Sequence, residues 1–456
     1  MTDDPGQSSH PRPATPGSGS SPVHSVARRG AIALGAALAA VTTSGTAHRR
    51  PPAHVDLLSL TVALRGPGER VLVRRSGPTV PPDTRVLPDA HAHEELRAEE
   101  NRVLDALAAR SSAPNPLLTD AVRDLHVLST GLPAPVAGWS SNWRYVWPRD
   151  AAHAAVALHQ LGLRERAWAT VHELAVLCGS DGWFEARYVP GRRHAPDGRP
   201  RQLDGTGWFL WALDSVLADD DTTAVRETNA TSALASDGTV QNTVQSAARR
   251  AAALLLELTA NDDRLPPPSP DYWEVRERRL TIATAALVAV GLERAGRLPA
   301  LIGEEMAAHA HERAVEVRAA IRDAFGPSGF TRYAGGTTAD AGMLFLLPPY
   351  ALHADDEVAD LLRPAEQRMR RPAGGVAPGE GWKRDGISWT PQTALFAQAY
   401  AQLGLREEAQ RLWDWLAVHR TSAGSLPEKV LADGSPAAVA PLTWTASVVI
   451  MGQLGV

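Results

Sequence analysis

Three loop segments, near residues 138–155, 266–287 and 425–447, carry most of the side chains that could do chemistry. In GWSSNWRYVWPRDAAHAA, Trp147, Arg149 and Asp150 crowd a turn that runs into an Ala-rich helix. An adjacent Arg and Asp could grip two hydroxyls in fork geometry; equally, the Asp could cap the helix with the Arg as its structural partner. Asp150 sits so near the helix start that it is expected to stay outside the buried part of the helix. In PPPSPDYWEVRERRLTIATAAL, Pro266, Pro267, Pro268 and Pro270 exclude helix until Asp271, so Trp273 and Glu274 fall just before or within the first turn of the next helix. A carboxyl group beside an indole has the water-poor setting of a proton donor, although a glutamate there could simply complement the helix N-terminus. In SLPEKVLADGSPAAVAPLTWTAS, Glu428 follows Pro427 in a polar loop, where an ordinary exposed glutamate is the default reading.

The elements that must position these segments read as helices. From about residue 91 the chain alternates stretches of helical period with Gly-, Pro- and Trp-containing loops, giving about a dozen helices and no convincing strand run. AHAAVALHQLGLRERAWATVHELAVL and TALFAQAYAQLGLREEAQRLWDWLAV share one format. In each, an Ala-rich helix ends at a Leu-Gly-Leu turn, where glycine can take the left-handed cap, and a charged amphipathic helix follows. Inner, buried helices alternating with outer, wetted ones suit an all-α barrel of helical hairpins, the (α/α)6 type, or an open solenoid. A barrel gathers the loops at one end of its inner helices around a single mouth, where a site would lie.

The 456 residues are 44% hydrophobic and 21% charged with a net charge of -5, which describes an ordinary globular chain with no basic field for nucleic acid. One cysteine, Cys178, cannot form an internal disulfide. His153 and His159 lack the spacing of a zinc motif, and neither a metal nor a cofactor is expected. Residues 1–47 read as a Pro/Ser/Gly-rich tail and a twin-arginine export signal, in which Arg28 and Arg29 precede the apolar run Ala31–Val41. That run is too short to span a bilayer, so a secreted protein without lasting membrane insertion is expected. Residues 48–90 read as a linker or short β segment, and 91–456 as the barrel, most simply a monomer.

From about Trp139 to the C-terminus the chain resembles the glucoamylase family, glycoside hydrolase family 15. YVWPRDAAHAA is similar to the family's sugar-gripping signature, which implies Trp147, Arg149 and Asp150 as contacts to a non-reducing sugar. QLDGTGWFLWAL resembles the second block and implies Asp204 and Trp208 as substrate-binding residues of the pocket or as residues directly behind it. PDYWEVRE implies Glu274 as the general acid with Trp273 beside it, and SLPEKV followed by APLTWTAS implies Glu428 as the general base. GWKRDGISWTPQTAL resembles a substrate-loop block more loosely and adds Trp382 and Arg384. The family commonly has Gln where this chain has Lys429, and residues 48–90 are too few for the β-sandwich domain many bacterial members carry. The resemblance implies an inverting, exo-acting hydrolase of oligo- or polysaccharides that releases glucose from α-linked chains. A trehalose- or isomaltose-type α-glucosidase and a non-catalytic carbohydrate-binding barrel are the alternatives.

Overall fold

The computed structural model describes residues 54–218 and 238–455; the export signal expected within residues 1–47 lies outside them. Six inner segments close a ring: the helices Pro148–Gln160, Asp204–Leu217 and Ile282–Ala295, the 3-10 turn Ala341–Leu346, and the helices Thr390–Gln402 and Thr443–Leu454, the last packing back on the first. Each is preceded by an outer segment, in order Pro116–Ser129, Arg164–Leu177, Gly238–Leu258, Glu304–Phe325, Leu362–Met369 and Arg406–Val418. The described chain is therefore an all-α (α/α)6 barrel. Because every hairpin runs outer to inner, the N-termini of the inner segments share one end of the ring.

The burial pattern follows from composition. Every residue of Ile282–Ala295 is buried, as is nearly all of Thr390–Gln402 and Thr443–Leu454, whereas Arg406–Val418 buries only Ala409, Leu412, Trp413 and Leu416. Small residues let the inner backbones touch: a Cβ on Gly207 would lie 2.9 Å from the Leu287 carbonyl carbon, and one on Gly342 would lie 2.6 Å from the Ala283 Cβ. The two Leu-Gly-Leu turns do take the left-handed conformation, with φ of 82° at Gly162 and 73° at Gly404.

Two elements differ from their sequence patterns. The stretch 338–347, which reads as an ordinary helix, is the 3-10 turn Ala341–Leu346, because the Asp340 side chain caps the Gly342 N–H and Pro348 stops the turn immediately. The next helix after the Pro-rich run starts only at Ile282, capped by Thr281, so Glu274 stands in an irregular loop and not in a first helical turn.

Residues 54–90 carry an antiparallel hairpin, Thr61–Gly66 with Glu69–Val73. It is fastened to the barrel by a buried ion pair, Arg85 to Asp124 at 3.2 Å, and Asp124 also accepts from the Leu426 N–H and the Ser425 hydroxyl. Upstream, the Leu58 N–H donates to the Ala438 carbonyl and the Ala438 N–H to the Asp56 carbonyl. The segment thus braces the loop on both sides of Glu428.

Candidate active site

At the N-terminal end of the inner ring lies a cavity of about 430 Å³, lined by Trp147, Arg149, Asp150, Trp273, Glu274, Trp382 and Glu428 among others. Three helix starts supply its floor: Trp147 to Asp150, Trp389 to Gln392, and Leu442 to Trp444.

Arg149 and Asp150 occupy the first turn of Pro148–Gln160, with Pro148 at the position where a missing N–H costs nothing. Contrary to the expectation from its place at the helix end, Asp150 is buried, because the neighbouring inner segments close over that turn. The pair forms an ion pair at 3.0 Å, and the Arg149 guanidinium stacks on Trp444 with 4.2 Å to the ring centre. Burial pushes the Asp150 carboxyl up to about 6 against the opposing pull of Arg149. Burial works against the charge on Arg149 as well, but Asp150 and Glu274 more than offset it.

Glu274 has a left-handed backbone, φ 55°, unusual for a residue with a side chain. A buried network holds this geometry. The Glu274 N–H donates to the Asp271 carbonyl at 2.7 Å, and the Asp271 carboxylate accepts from the Trp273 N–H. Arg332 then binds Asp271, Glu277 and Asp340 and lies 3.5 Å from the centre of the Trp273 ring. One Glu274 oxygen faces Arg149 at 3.8 Å, and the other is paired with Arg199.

Glu428 is buried, with its backbone N–H on the Val439 carbonyl at 2.8 Å and its carbonyl accepting from the Thr390 N–H. Burial raises its pKa; Lys429, 3.2 Å away, and the Trp143 indole act in the opposite direction, while Glu274 adds to the rise. The Lys429 ammonium also sits over Trp389 at 4.3 Å. Carboxyl groups on two different loops therefore face one cavity in unlike environments, which is the arrangement general acid and base catalysis needs.

Trp273, Trp382 and Trp389 form a run of edge-to-face indoles along one wall, with centroids 4.9 and 5.8 Å apart. The buried indole nitrogens of Trp147, Trp273, Trp382 and Trp389, with Arg149 Nη1 and Gln392 Oε1, have no partner among the described residues. A cavity that combines flat apolar faces with uncommitted donors and an acceptor suits a ring bearing many hydroxyls.

Of the residues singled out from sequence, the fold brings Trp147, Arg149, Asp150, Trp273, Glu274, Trp382 and Glu428 to this cavity. Asp204, at the start of the neighbouring inner helix, is buried and does not line the cavity; burial lifts its carboxyl to about 7, against the pull of Arg149. Trp208 is fully buried in a cluster with His153, Trp211, Phe345 and Tyr350, so it is a core residue and not part of the cavity wall. Arg384 is exposed and does not line the cavity. His153 donates from Nδ1 to the Arg149 carbonyl, a structural post beneath the Arg-Asp pair. Sequence reasoning missed Arg187, Arg199, Tyr272, Gln392 and Trp444. Arg199 comes from the polar stretch GRRHAPDGRPRQ and Arg187 from FEARYVP just before it, where nothing separates them from solvated charges, whereas Gln392 and Trp444 lie in the first turns of their helices, as Arg149 does.

No family model and no curated protein matches the chain. Solved structures do. A glycosidase solved as wild type and in several variants has a TM-score of 0.60 at 18% identity, covering 78% of this chain and 98% of its own. A bacterial glucoamylase complexed with acarbose gives 0.61 at 16% identity over 79% of this chain and 58% of its own. A rhamnosidase from Klebsiella oxytoca with rhamnose bound gives 0.52 at 16%, over 76% and 66%. At these identities the likeness establishes a shared architecture: the chain has the six-hairpin barrel found in these glycosidases.

Proposed function

We propose that the protein is an inverting, exo-acting glycoside hydrolase of the glucoamylase type. The observation that carries this reading is the pair Glu274 and Glu428 on separate loops of one indole-lined cavity, with Arg149 and Asp150 at its base. In the mechanism, Glu274 protonates the glycosidic oxygen while Glu428 takes a proton from the water that attacks the opposite face of the ring. Arg149 and Asp150 hold hydroxyls of the terminal sugar. Trp273, beside the acid, packs on the ring, and Trp382 extends that wall. Support also comes from the similar glycosidase, whose solved variants include two Glu-to-Ala substitutions, one of them with glucose bound. Their separation along that chain is close to that between Glu274 and Glu428. The sugar released is glucose from an α-linked non-reducing end, and the twin-arginine signal carries the enzyme out of the cytoplasm to its substrate. The test is paired substitution: Glu274→Gln and Glu428→Gln should each lower kcat by about a hundredfold or more with little change in Tm. Near-normal turnover in either variant would remove that residue from its role.

A further inference from the structure

The side chains around Glu274 are graded in exposure. Asp150 is 1% and Arg149 10% exposed, Glu274 23%, and Arg199 38%. The sugar-gripping pair lies at the bottom, and Arg199 stands outward of the acid, bonded to the Glu274 oxygen that Arg149 does not face. A group protonated by Glu274 leaves with whatever substituent it carries, and that substituent emerges on the Arg199 side.

The local charges do not balance in the state that reacts. Arg149 is matched by Asp150, and Lys429 by Glu428. Arg187, at 2.5 Å, and Arg199, at 3.2 Å, share one carboxylate, Asp197. Glu274 is the second partner of Arg199 only while it is ionised. Once Glu274 carries the proton it must donate, two guanidiniums are left with one carboxylate, and the surplus cation is beside the leaving group.

From this geometry we infer that the leaving-group side of the cavity takes an anion: the preferred substrates are glycosides whose departing alcohol carries a carboxylate or phosphate within reach of Arg199. An anionic leaving group replaces Glu274 as the partner of Arg199 and frees the acid to hold its proton. The inference rests on the hydrolase reading and narrows its substrate class. Charge-assisted contacts of this kind contribute about 1.5–3 kcal/mol, or roughly ten- to a hundredfold in kcat/KM.

The experiment compares three glucosides of matched size: the neutral ethyl α-glucoside, its carboxymethyl counterpart, and its 2-phosphoethyl counterpart. Hydrolysis is followed with the wild type, Arg199→Gln and Arg199→Lys, and binding by calorimetry with the Glu428→Gln variant. The expected result is a preference of about tenfold or more for one anionic glucoside, which also identifies the anion. Arg199→Gln should level the preference and Arg199→Lys keep part of it. Cleavage of the neutral glucoside as fast as both anionic ones would overturn the inference and leave the hydrolase reading intact. If none of the three is bound or cleaved while maltose or isomaltose releases glucose, the inference fails alone; if those are silent as well, the glucose-specific hydrolase reading fails with it.

Discussion

Lys429 offers the most informative single perturbation, because its ammonium lies 3.2 Å from Glu428 Oε2 and both side chains are mostly buried. Two unit charges at that distance attract by about 5 kcal/mol at an effective dielectric near 20. Desolvation and rearrangement leave a smaller net effect, and a charge-assisted hydrogen bond typically retains about 1.5–3 kcal/mol. Burial raises the pKa of Glu428 and Lys429 opposes that rise. A general base works only when ionised, so deleting the cation makes the working form harder to reach at low pH. In Lys429→Gln the acid limb of the kcat/KM profile should therefore move upward by roughly one pH unit or more. The assay is initial-rate hydrolysis across the pH range with wild type and variant side by side. An acid limb that stays in place, or moves to lower pH, would refute the coupling between Lys429 and the base.

Two further substitutions probe the surroundings of the site. Burial pushes His153 down to about 3, far below the 6.5 it regains on unfolding, so the stability this neutral ring contributes is complete above about pH 6.5 and is lost as pH falls toward 3. His153→Gln should flatten the slope of unfolding free energy against pH in that window by up to about 1.4 kcal/mol per unit, measured by urea titration; an unchanged slope would contradict the assignment. At Gly379, an added Cβ would lie 2.5 Å from Trp273 Cζ2 and 3.0 Å from Asp340 Oδ2. Gly379→Ala should cost about 1–3 kcal/mol through overpacking and raise KM by displacing the indole. Lowered stability with an unaltered KM would show that Trp273 makes no contact with substrate.

The helical pairs were legible because Ala-rich and amphipathic stretches differ in how many faces they can bury, and Gly162 and Gly404 marked the turns between them. The six-fold closure was less so, since one inner position is only the turn Ala341–Leu346. Trp147, Arg149 and Asp150 were readable from one local motif. Glu428 was not, because its burial comes from partners as distant as Thr390 and Val439 and from the brace built by residues 54–60. The left-handed backbone of Glu274 was equally hidden, since Arg332 and Asp340, which hold the Asp271–Glu274 turn, lie more than fifty positions downstream. Trp208 looked like a cavity residue through the block that contains it, yet at the second turn of its helix it points among core rings. Arg199 had no local signal at all.

Inverting hydrolysis by Glu274 and Glu428 is tested most directly by the configuration of the product. Maltose, isomaltose, trehalose, soluble starch, dextran and the carboxymethyl α-glucoside are incubated with the full chain while the anomeric protons of released sugar are followed by NMR. Release of β-glucose as the first product, lost in Glu274→Gln and in Glu428→Gln, is the predicted result. First release of α-glucose, or no sugar from any member of the set, would contradict it.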